Sequence, residues 1–320
     1  SLNGELINIG TAKEALYQFA DSDELSFKID FDTAEEIISN EWIFSSARND
    51  EADEYNYSES EIIPYGEGVE VPKNIESLPL FHFNKFNYLS AEHWVKETYT
   101  IADYAVSKQR SLGKYGENAP YYLLRYGMQE VSPELLYKDT DVNTLDHQVS
   151  AWMNEISPGT KVIVERIPGM SYVKLSYQFS ESGMTPVSPL NVGFGMTYVL
   201  PVVVGLLSAQ PGDILLIENP ESHVHPKGQS AIGRLMAKVA ALGVQLFVET
   251  HSDHIINGVR VAVKQGVSPD FVKILFLSKG EGNKQMYTTQ STPKIDKDGR
   301  IDFWPPDFCE EWNNNLLELL

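Results

Sequence analysis

The sequence predicts an α/β fold with a parallel sheet in its C-terminal half, and two patterns carry this prediction. Apolar runs alternate there with amphipathic segments in the order strand, helix, strand, helix, strand: Asp213–Ile217, Gly228–Leu242, Val244–Val248, Ile255–Lys264 and Val272–Leu277. Strands and helices at this spacing favour parallel pairing through right-handed crossovers. The second pattern is the apolar run Val192–Leu207, which is too short to span a bilayer and indicates a helix buried against the sheet.

The composition limits the functions that the chain can have. The 320 residues are 42% hydrophobic, which is enough for one large domain or two packed ones. The formal net charge is −20, and sixteen acidic but two basic residues lie between Asp21 and Glu70. This stretch is typical of a solvated face, with a docking surface for a basic partner as the alternative, and it disfavours direct nucleic-acid binding. The single Cys309 and the lack of a signal-peptide pattern predict a cytoplasmic protein.

The N-terminal half of the chain shows β patterns first and helical patterns later. Leu25–Phe31 alternates apolar and polar residues like a half-buried strand, whereas the acidic segment Asn49–Glu59 is expected to be a mobile loop. The remaining predicted elements are two helices and a β-hairpin that turns at Pro168-Gly169: Ala119–Tyr126, Leu145–Ile156, Lys161–Glu165 and Tyr172–Phe179.

Chemically active side chains follow the first two C-terminal strands. Glu218 and Asn219 end one of them and Glu221 lies just beyond, while His251 follows the next strand. Because the carboxyl ends of parallel strands meet at one edge of a sheet, we expect these side chains to lie close together. A carboxylate there can hold a hydrated Mg²⁺ beside a nucleotide. The histidine is placed to meet a γ-phosphate or its attacking water.

A glycine-bearing segment precedes the buried helix. Gly193 and Gly195 allow a backbone to approach phosphate closely, and the helix N-terminus adds unpaired N–H donors and a partial positive charge. The candidate nucleotide-binding residues are therefore Asn191, Gly193, Gly195 and Thr197.

Taken together, these segments resemble the ABC-type ATPase heads of the RecF, SMC and OLD group. The resemblance is strongest over Pro189–Lys264. There the chain reads NVGFG at 191–195 and LP at 200–201, then IENPESHVHP at 217–226 followed by Gln229, then ETHSDH at 249–254 and NGVR at 257–260. It extends to three shorter segments: Tyr88–Glu92, Leu112–Glu117 and Gly299–Pro305. By this resemblance Asn191–Thr197 is the signature loop, Ile214–Glu218 the Walker B strand, Ser222–Gln229 the D-loop and His251 the switch histidine.

The resemblance implies an ABC-ATPase-like P-loop NTPase core with a β-rich N-terminal part and a helical lobe. The implied parts are a β-rich portion (residues 1–85), a helical lobe with a β-hairpin (86–188), the ATPase core (189–280) and a C-terminal appendix (281–320). The implied activity is ATP binding and hydrolysis in a head-to-tail homodimer that holds two ATP molecules between its subunits. Glu218 would hold Mg²⁺ through water, and Gly193 and Gly195 would contact the γ-phosphate bound by the opposite subunit.

The resemblance also suggests a setting and leaves an alternative. The setting is DNA repair, recombination or phage defence, beside a nuclease or another protein partner, with nucleic acid reached only through the complex and no membrane involved. The alternative is a non-catalytic interaction module that keeps the ATPase fold but not the activity.

Two features depart from the resembling proteins. No glycine-rich loop ending in Gly-Lys-Ser/Thr occurs, since Gly113-Lys114 continues into Tyr115. In the resembling proteins this P-loop precedes a segment like Ser1–Leu16, so we expect that the chain begins just after it and that these 320 residues alone are inactive. In addition, Asn219 occupies the position at which the resembling proteins have a catalytic carboxylate. An amide can orient water but cannot accept its proton. Glu221 is the nearest replacement base.

The C-terminal half of the chain also allows two other enzyme classes, a zinc-dependent hydrolase and a nuclease. His223, His225, His251 and His254 lie close in sequence, with Asp253 and Glu249 nearby. Imidazoles completed by a carboxylate could bind zinc in a metal-dependent hydrolase. Asp296 and Asp298 could be carboxylates of a nuclease, although an acidic turn that ends at Gly299 is the simpler interpretation.

Overall fold

The structure is a computed structural model in two compact units, residues 1–81 with 282–285 and residues 82–281 with 286–320. It describes residues 24–32, 37–46, 55–64, 84–138, 140–179, 185–282, 285–305 and 318–319, together with Leu6 and Ser22. The elements are a mixture of strands and helices, so the predicted α/β class is confirmed.

The first unit contains an antiparallel sheet in the order β1-β2-β3. Its strands are β1 (Glu24–Asp32), β2 (Ile37–Ser46) and β3 (Tyr55–Pro64), so the strand predicted at Leu25–Phe31 is confirmed. The loop predicted at Asn49–Glu59 is wrong for its second half, because residues 55–59 begin β3; residues 49–54 lie outside the described residues. This segment contains aromatic residues, which favour strands, and residue 57 is the register partner of Phe44 in β2.

The second unit contains the parallel sheet that the C-terminal pattern predicts. Its order is β4 (Phe86–Leu89), β8 (Ile214–Glu218), β9 (Gln245–Glu249). Both pairings are parallel, β4 with β8 and β8 with β9.

The third strand predicted for this sheet, Val272–Leu277, is wrong. Phe276 instead opens β10 (Phe276–Gly282), which pairs with β11 (Gln285–Ser291) in a separate two-stranded sheet. Leu275 and Leu277 are more than half exposed, so this run is not part of the core. An apolar run indicates a strand without specifying its neighbour, and the neighbour of β8 here is β4, from far earlier in the chain.

The helices and the second antiparallel sheet lie around this core. The helices are α1 (Asp103–Gln109), α2 (Ala119–Tyr126), α3 (Leu145–Ile156), α4 (Phe194–Ser208), α5 (Pro226–Ala241) and α6 (Asp253–Lys264), and the strands of the sheet are β5 (Thr98–Thr100), β6 (Thr160–Arg166) and β7 (Tyr172–Phe179). The helices predicted at residues 119–126 and 145–156 and the predicted hairpin are confirmed, and the hairpin is part of the sheet β5-β7-β6.

The helices of the second unit pack closely. Helix α4 is buried along most of its length, as its uniformly apolar sequence predicts. Helices α5 and α6, which follow β8 and β9, cross at two glycines: a Cβ on Gly233 would lie 2.1 Å from the Ile255 carbonyl oxygen, and one on Gly258 would lie 2.2 Å from that of Ser230. Within the described ranges, no helix is long and apolar enough to cross a membrane.

Candidate functional site

Glu218 ends β8 with its carboxylate held by the neighbouring strand. The Tyr88 hydroxyl of β4 donates to Glu218 Oε1 over 2.9 Å, and the Ala91 N–H donates to Oε2 over 3.1 Å. Burial, followed by the hydrogen bond and the charge of Glu218, raises the pKa of Tyr88 to about 12. Tyr88 therefore remains a hydrogen-bond donor at neutral pH, and the carboxylate of Glu218 is fixed in place.

Glu249 is a second carboxylate at this edge, which the sequence suggested only as a neighbour of the histidines in the zinc hypothesis. It ends β9 as the register partner of Glu218. Paired residues of adjacent parallel strands project from the same face, about 5 Å apart. The Glu249 side chain is 61% exposed, and His251 Nε2 lies 3.9 Å from its Oε1. The signal that could have identified it is its place immediately after the neighbouring predicted strand, Val244–Val248.

The segment after β8 has a strained backbone. Asn219 and His223 both adopt positive φ, 43° and 62°. Asn tolerates this region better than most residues do, and such conformations persist only where surrounding contacts enforce them. One such contact is the Asn219 N–H, which donates to the Glu249 carbonyl oxygen over 2.9 Å.

Glu221 and Gln229 connect this segment to the end of β9. The Thr250 hydroxyl donates to Glu221 Oε2 over 2.7 Å, and the His251 main-chain N–H donates to Glu221 Oε1 over 2.8 Å. The Ser252 hydroxyl donates to Gln229 Oε1 over 2.6 Å. Both oxygens of the predicted replacement base therefore accept hydrogen bonds from the segment that carries His251.

His251 stands at the end of β9 with an imidazole that is 83% exposed. The next residue, Ser252, caps α6, because its hydroxyl accepts from the N–H groups of His254 and Ile255. The imidazole thus projects into solvent immediately before a helix N-terminus. Glu218, Asn219, Glu221 and His251 all lie at the ends of the paired strands β8 and β9, so the structure brings these predicted residues together.

The predicted signature loop is divided between surface and core. Asn191 ends a single 3₁₀ turn, and Gly193 caps α4 with open space where a Cβ would be. Gly195 packs against the segment after β8, since a Cβ there would lie 2.1 Å from the His223 carbonyl oxygen. Thr197 is buried and accepts a hydrogen bond from the Tyr177 hydroxyl, so its side chain belongs to the core rather than to the loop surface.

Aromatic rings join this loop to the strand ends. The His223 ring lies 4.8 Å from the ring of Tyr198 and 6.1 Å from that of the exposed Phe194. Tyr198 also contacts His93, whose Nδ1 lies within hydrogen-bond distance of the Tyr198 carbonyl oxygen. Burial lowers the pKa of His93 and keeps it neutral. Sequence reasoning missed His93, because no local pattern indicates a contact across 105 residues.

The four histidines of the zinc hypothesis have separate partners. The ring of His223 contacts α4, His225 Nδ1 accepts from the Lys227 N–H, and His254 Nε2 lies 3.6 Å from Asp253. In the part of the chain that the structure describes, no three His, Cys, Asp or Glu side chains are arranged to hold a metal ion.

The two aspartates of the nuclease hypothesis form a turn. Asp296 Oδ1 accepts from the N–H groups of Asp298 and Arg300, and Gly299 adopts a φ of 76°. These contacts are those of the acidic turn that was the simpler interpretation.

Comparison with known proteins gives a match over most of the chain. Residues 1–257 match the family model described as "AAA domain, putative AbiEii toxin, Type IV TA system", and residues 267–319 match a model described as "Protein of unknown function (DUF3696)". None of the curated proteins compared with the chain matches it.

Three solved structures of SMC ATPase heads are among those to which the chain is similar. One comes from work on ATP-driven dimerisation and DNA-stimulated activation of SMC ATPases; it is 13% identical, with 55% of this chain and 90% of that chain covered and a TM-score of 0.34. A second is the Pyrococcus furiosus Smc head with an extended coiled coil, bound to the C-terminal domain of ScpA (12% identity, 55% and 37% covered, TM-score 0.34). The third is an Smc head bound to the C-terminal winged-helix domain of ScpA (10% identity, 86% and 76% covered, TM-score 0.45).

Proposed function

Because the chain belongs to the AAA-domain family whose model it matches over residues 1–257, we propose that it is an ABC-type ATPase head that acts at the carboxyl ends of β4, β8 and β9. One observation carries the proposal. Neighbouring parallel strands bring a fixed carboxylate, Glu218, beside the exposed Glu249 and His251. Ligands of open α/β sheets bind at this edge.

The donor set of the site fits Mg²⁺, the cation that ATPases of this type use. Mg²⁺ takes oxygen ligands and is commonly bound by one or two carboxylates together with phosphates and water. Each oxygen of Glu218 accepts from one protein donor and retains a lone pair for a metal-bound water. Glu218 would hold the ion, and bound Mg²⁺ would neutralise charge that develops on the phosphates.

The remaining residues act on the phosphate and on the attacking water. His251 would donate to the γ-phosphate, as its exposed ring before a helix N-terminus allows. Asn219 would orient the water, since its amide can donate and accept hydrogen bonds. Glu249 supplies a further exposed carboxylate beside them.

A second subsite would be completed by a second copy of the chain. Gly193 and Asn191 lie at the N-terminus of α4, where unpaired N–H groups favour phosphate. Gly195 brings this helix end close to the segment after β8. We propose that this loop contacts the γ-phosphate held by the opposite subunit in a head-to-tail dimer with two ATP molecules between the subunits.

No Gly-Lys-Ser/Thr sequence of the kind that forms a phosphate-binding loop occurs in these 320 residues. Without a Gly-Lys-Ser/Thr loop, they supply neither the backbone cradle nor the lysine for the β- and γ-phosphates. We propose that they bind Mg-ATP with an affinity no tighter than about 1 mM, equivalent to about 4 kcal/mol of binding free energy. Calorimetric titration tests this, and micromolar affinity would show that another loop holds the phosphates.

The biological setting proposed for the chain is DNA repair, recombination or phage defence, in the cytoplasm and beside a nuclease or another protein. The matching family is described as including a putative toxin of a type IV toxin–antitoxin system, which supports a defence role. The amide of Asn219 at the usual carboxylate position favours the alternative, a non-catalytic interaction module that keeps the ATPase fold but not the activity. An ATPase assay on a form of the protein that carries a phosphate-binding loop separates the two.

A further inference from the structure

Two side chains that follow β8 hold the three residues that follow β9. Glu221 accepts hydrogen bonds from the Thr250 hydroxyl and from the His251 main-chain N–H, over 2.7 and 2.8 Å. Gln229, in the first turn of α5, accepts one from the Ser252 hydroxyl over 2.6 Å. The segment that carries the exposed imidazole is therefore attached to the neighbouring strand end at each of its residues.

We propose that Glu221 is a positioning residue for His251 and not the acceptor of the water's proton. The proposal rests on the function proposed above for His251 at the γ-phosphate. The imidazole of His251 is 83% exposed, so few side-chain contacts restrain it. Its position is set by the main chain from which it extends, and that main chain is bonded directly to the Glu221 carboxylate.

Both carboxylate oxygens of Glu221 are already occupied as hydrogen-bond acceptors. Each oxygen accepts from a donor at short distance, and hydrogen bonds to an ionised acceptor are about twice as strong as neutral ones. Proton transfer to this carboxylate would remove the charge that strengthens both bonds. The same group would then release His251 at the moment when the imidazole is needed at the phosphate.

The attachment made by Glu221 can be removed without removing the others. The Asn219 N–H still donates to the Glu249 carbonyl oxygen, and the Ser252 hydroxyl still donates to Gln229. Ser252 also keeps its capping bonds to the first turn of α6. Loss of the Glu221 carboxylate should therefore loosen residues 250–251 while β9 and α6 stay in place.

The test is backbone ¹⁵N relaxation of the 320-residue chain, without nucleotide, in four forms. They are the wild type, Glu221→Ala, Glu221→Gln and, as a charge-matched control, Asp253→Asn, which removes one negative charge two residues from His251. We expect the order parameter of the His251 N–H to be about 0.85 in the wild type and in the control. It should fall below about 0.6 in Glu221→Ala and to an intermediate value in Glu221→Gln, whose amide oxygen can still accept one bond.

Several outcomes would overturn the proposal. A His251 N–H that stays rigid in Glu221→Ala would do so, and so would an equal loss of order throughout α6. If Glu221→Ala does not fold, the comparison of Glu221→Gln with Asp253→Asn decides in the same way. Because no nucleotide is present, failure of ATP binding would leave this result standing.

A kinetic comparison distinguishes positioning from proton acceptance directly. In a form of the protein that hydrolyses ATP, a positioning residue should be partly rescued by the conservative change, so Glu221→Gln should retain at least about tenfold more kcat than Glu221→Ala. Equal kcat in the two variants, with unchanged KM, would identify Glu221 as the base and contradict the proposal.

Discussion

The contact between Gly195 and His223 can be tested by adding a single methyl group. A Cβ at Gly195 would lie 2.1 Å from the His223 carbonyl oxygen and 2.8 Å from its carbonyl carbon. Real Cβ atoms do not approach backbone atoms this closely, so α4 or the segment after β8 must move. Gly193, two residues earlier, has nothing within 4 Å of the same position and is the matched control.

The magnitude follows from two opposing effects. Inserting a methyl group into a packed site costs about 1–3 kcal/mol. Replacing Gly by Ala in a helix returns up to about 1 kcal/mol, and less in the first turn, where Gly195 lies. We expect Gly195→Ala to lower the free energy of unfolding by about 1–2 kcal/mol, which corresponds to about 2–8 °C in Tm for a unit of this size.

The assay is thermal unfolding of the wild type, Gly195→Ala and Gly193→Ala, followed by circular dichroism and calorimetry. Gly193→Ala should stay within about 0.5 kcal/mol of the wild type, because it adds a methyl group in open space. Equal Tm values for the two variants would refute the close packing of α4 against His223. The result also decides which glycine can be used to probe the dimer, since a larger side chain at Gly195 would disturb the fold.

Substitutions at Gly193, Tyr88 and His93 test the helix N-terminus and two further contacts of the site. In a form of the protein with a phosphate-binding loop, Gly193→Glu should leave Tm unchanged but abolish ATP-dependent dimerisation in sedimentation experiments. Loss of ATP binding by the monomer instead would show that the loop Asn191–Thr197 serves its own subunit. Burial, followed by the hydrogen bond to Glu218, raises the pKa of Tyr88 to about 12, so its contribution to stability is complete below about pH 10 and is lost as the pH rises towards 12. Guanidinium unfolding of Tyr88→Phe should show a shallower decline over that range than the wild type, and parallel curves would contradict the raised pKa. Burial lowers the pKa of His93, so the wild type should lose stability as the pH falls below about 6.5. His93→Gln should be less stable than the wild type at pH 7.5 but should lose less stability over the same fall in pH. An equal loss in both proteins would exclude His93 as the cause.

The sequence predicts local structure well where one pattern dominates. Helices α2 and α3 begin and end at the residues predicted, because their apolar faces recur at helical spacing. Strands β8 and β9 are displaced by only one residue from the predicted runs. Neighbours in the sheet could not be predicted in the same way, since pairing of β4 with β8 depends on contacts between residues more than a hundred positions apart.

The candidate site shows the same division between local and distant information. Glu218, Asn219 and His251 could be selected because each follows a predicted strand. The donors that fix Glu218, Tyr88 and Ala91, lie 130 and 127 residues earlier, and nothing near them in the sequence indicates this contact. Thr197 shows the opposite case, because a residue of the predicted loop turns into the core once the helix begins at Phe194.

The measurement that tests the central claim most directly is ATP hydrolysis by His251→Ala and His254→Ala in a form of the protein that carries a phosphate-binding loop. His251 projects from the strand end, whereas His254 lies in the first turn of α6 beside Asp253. We predict that His251→Ala lowers kcat by a factor on the order of 10²–10³, the effect of losing one electrostatic contact to the transition state, and that His254→Ala leaves kcat within about twofold. Full activity of His251→Ala, or equal losses in the two variants, would contradict the placement of the γ-phosphate at the carboxyl ends of β8 and β9.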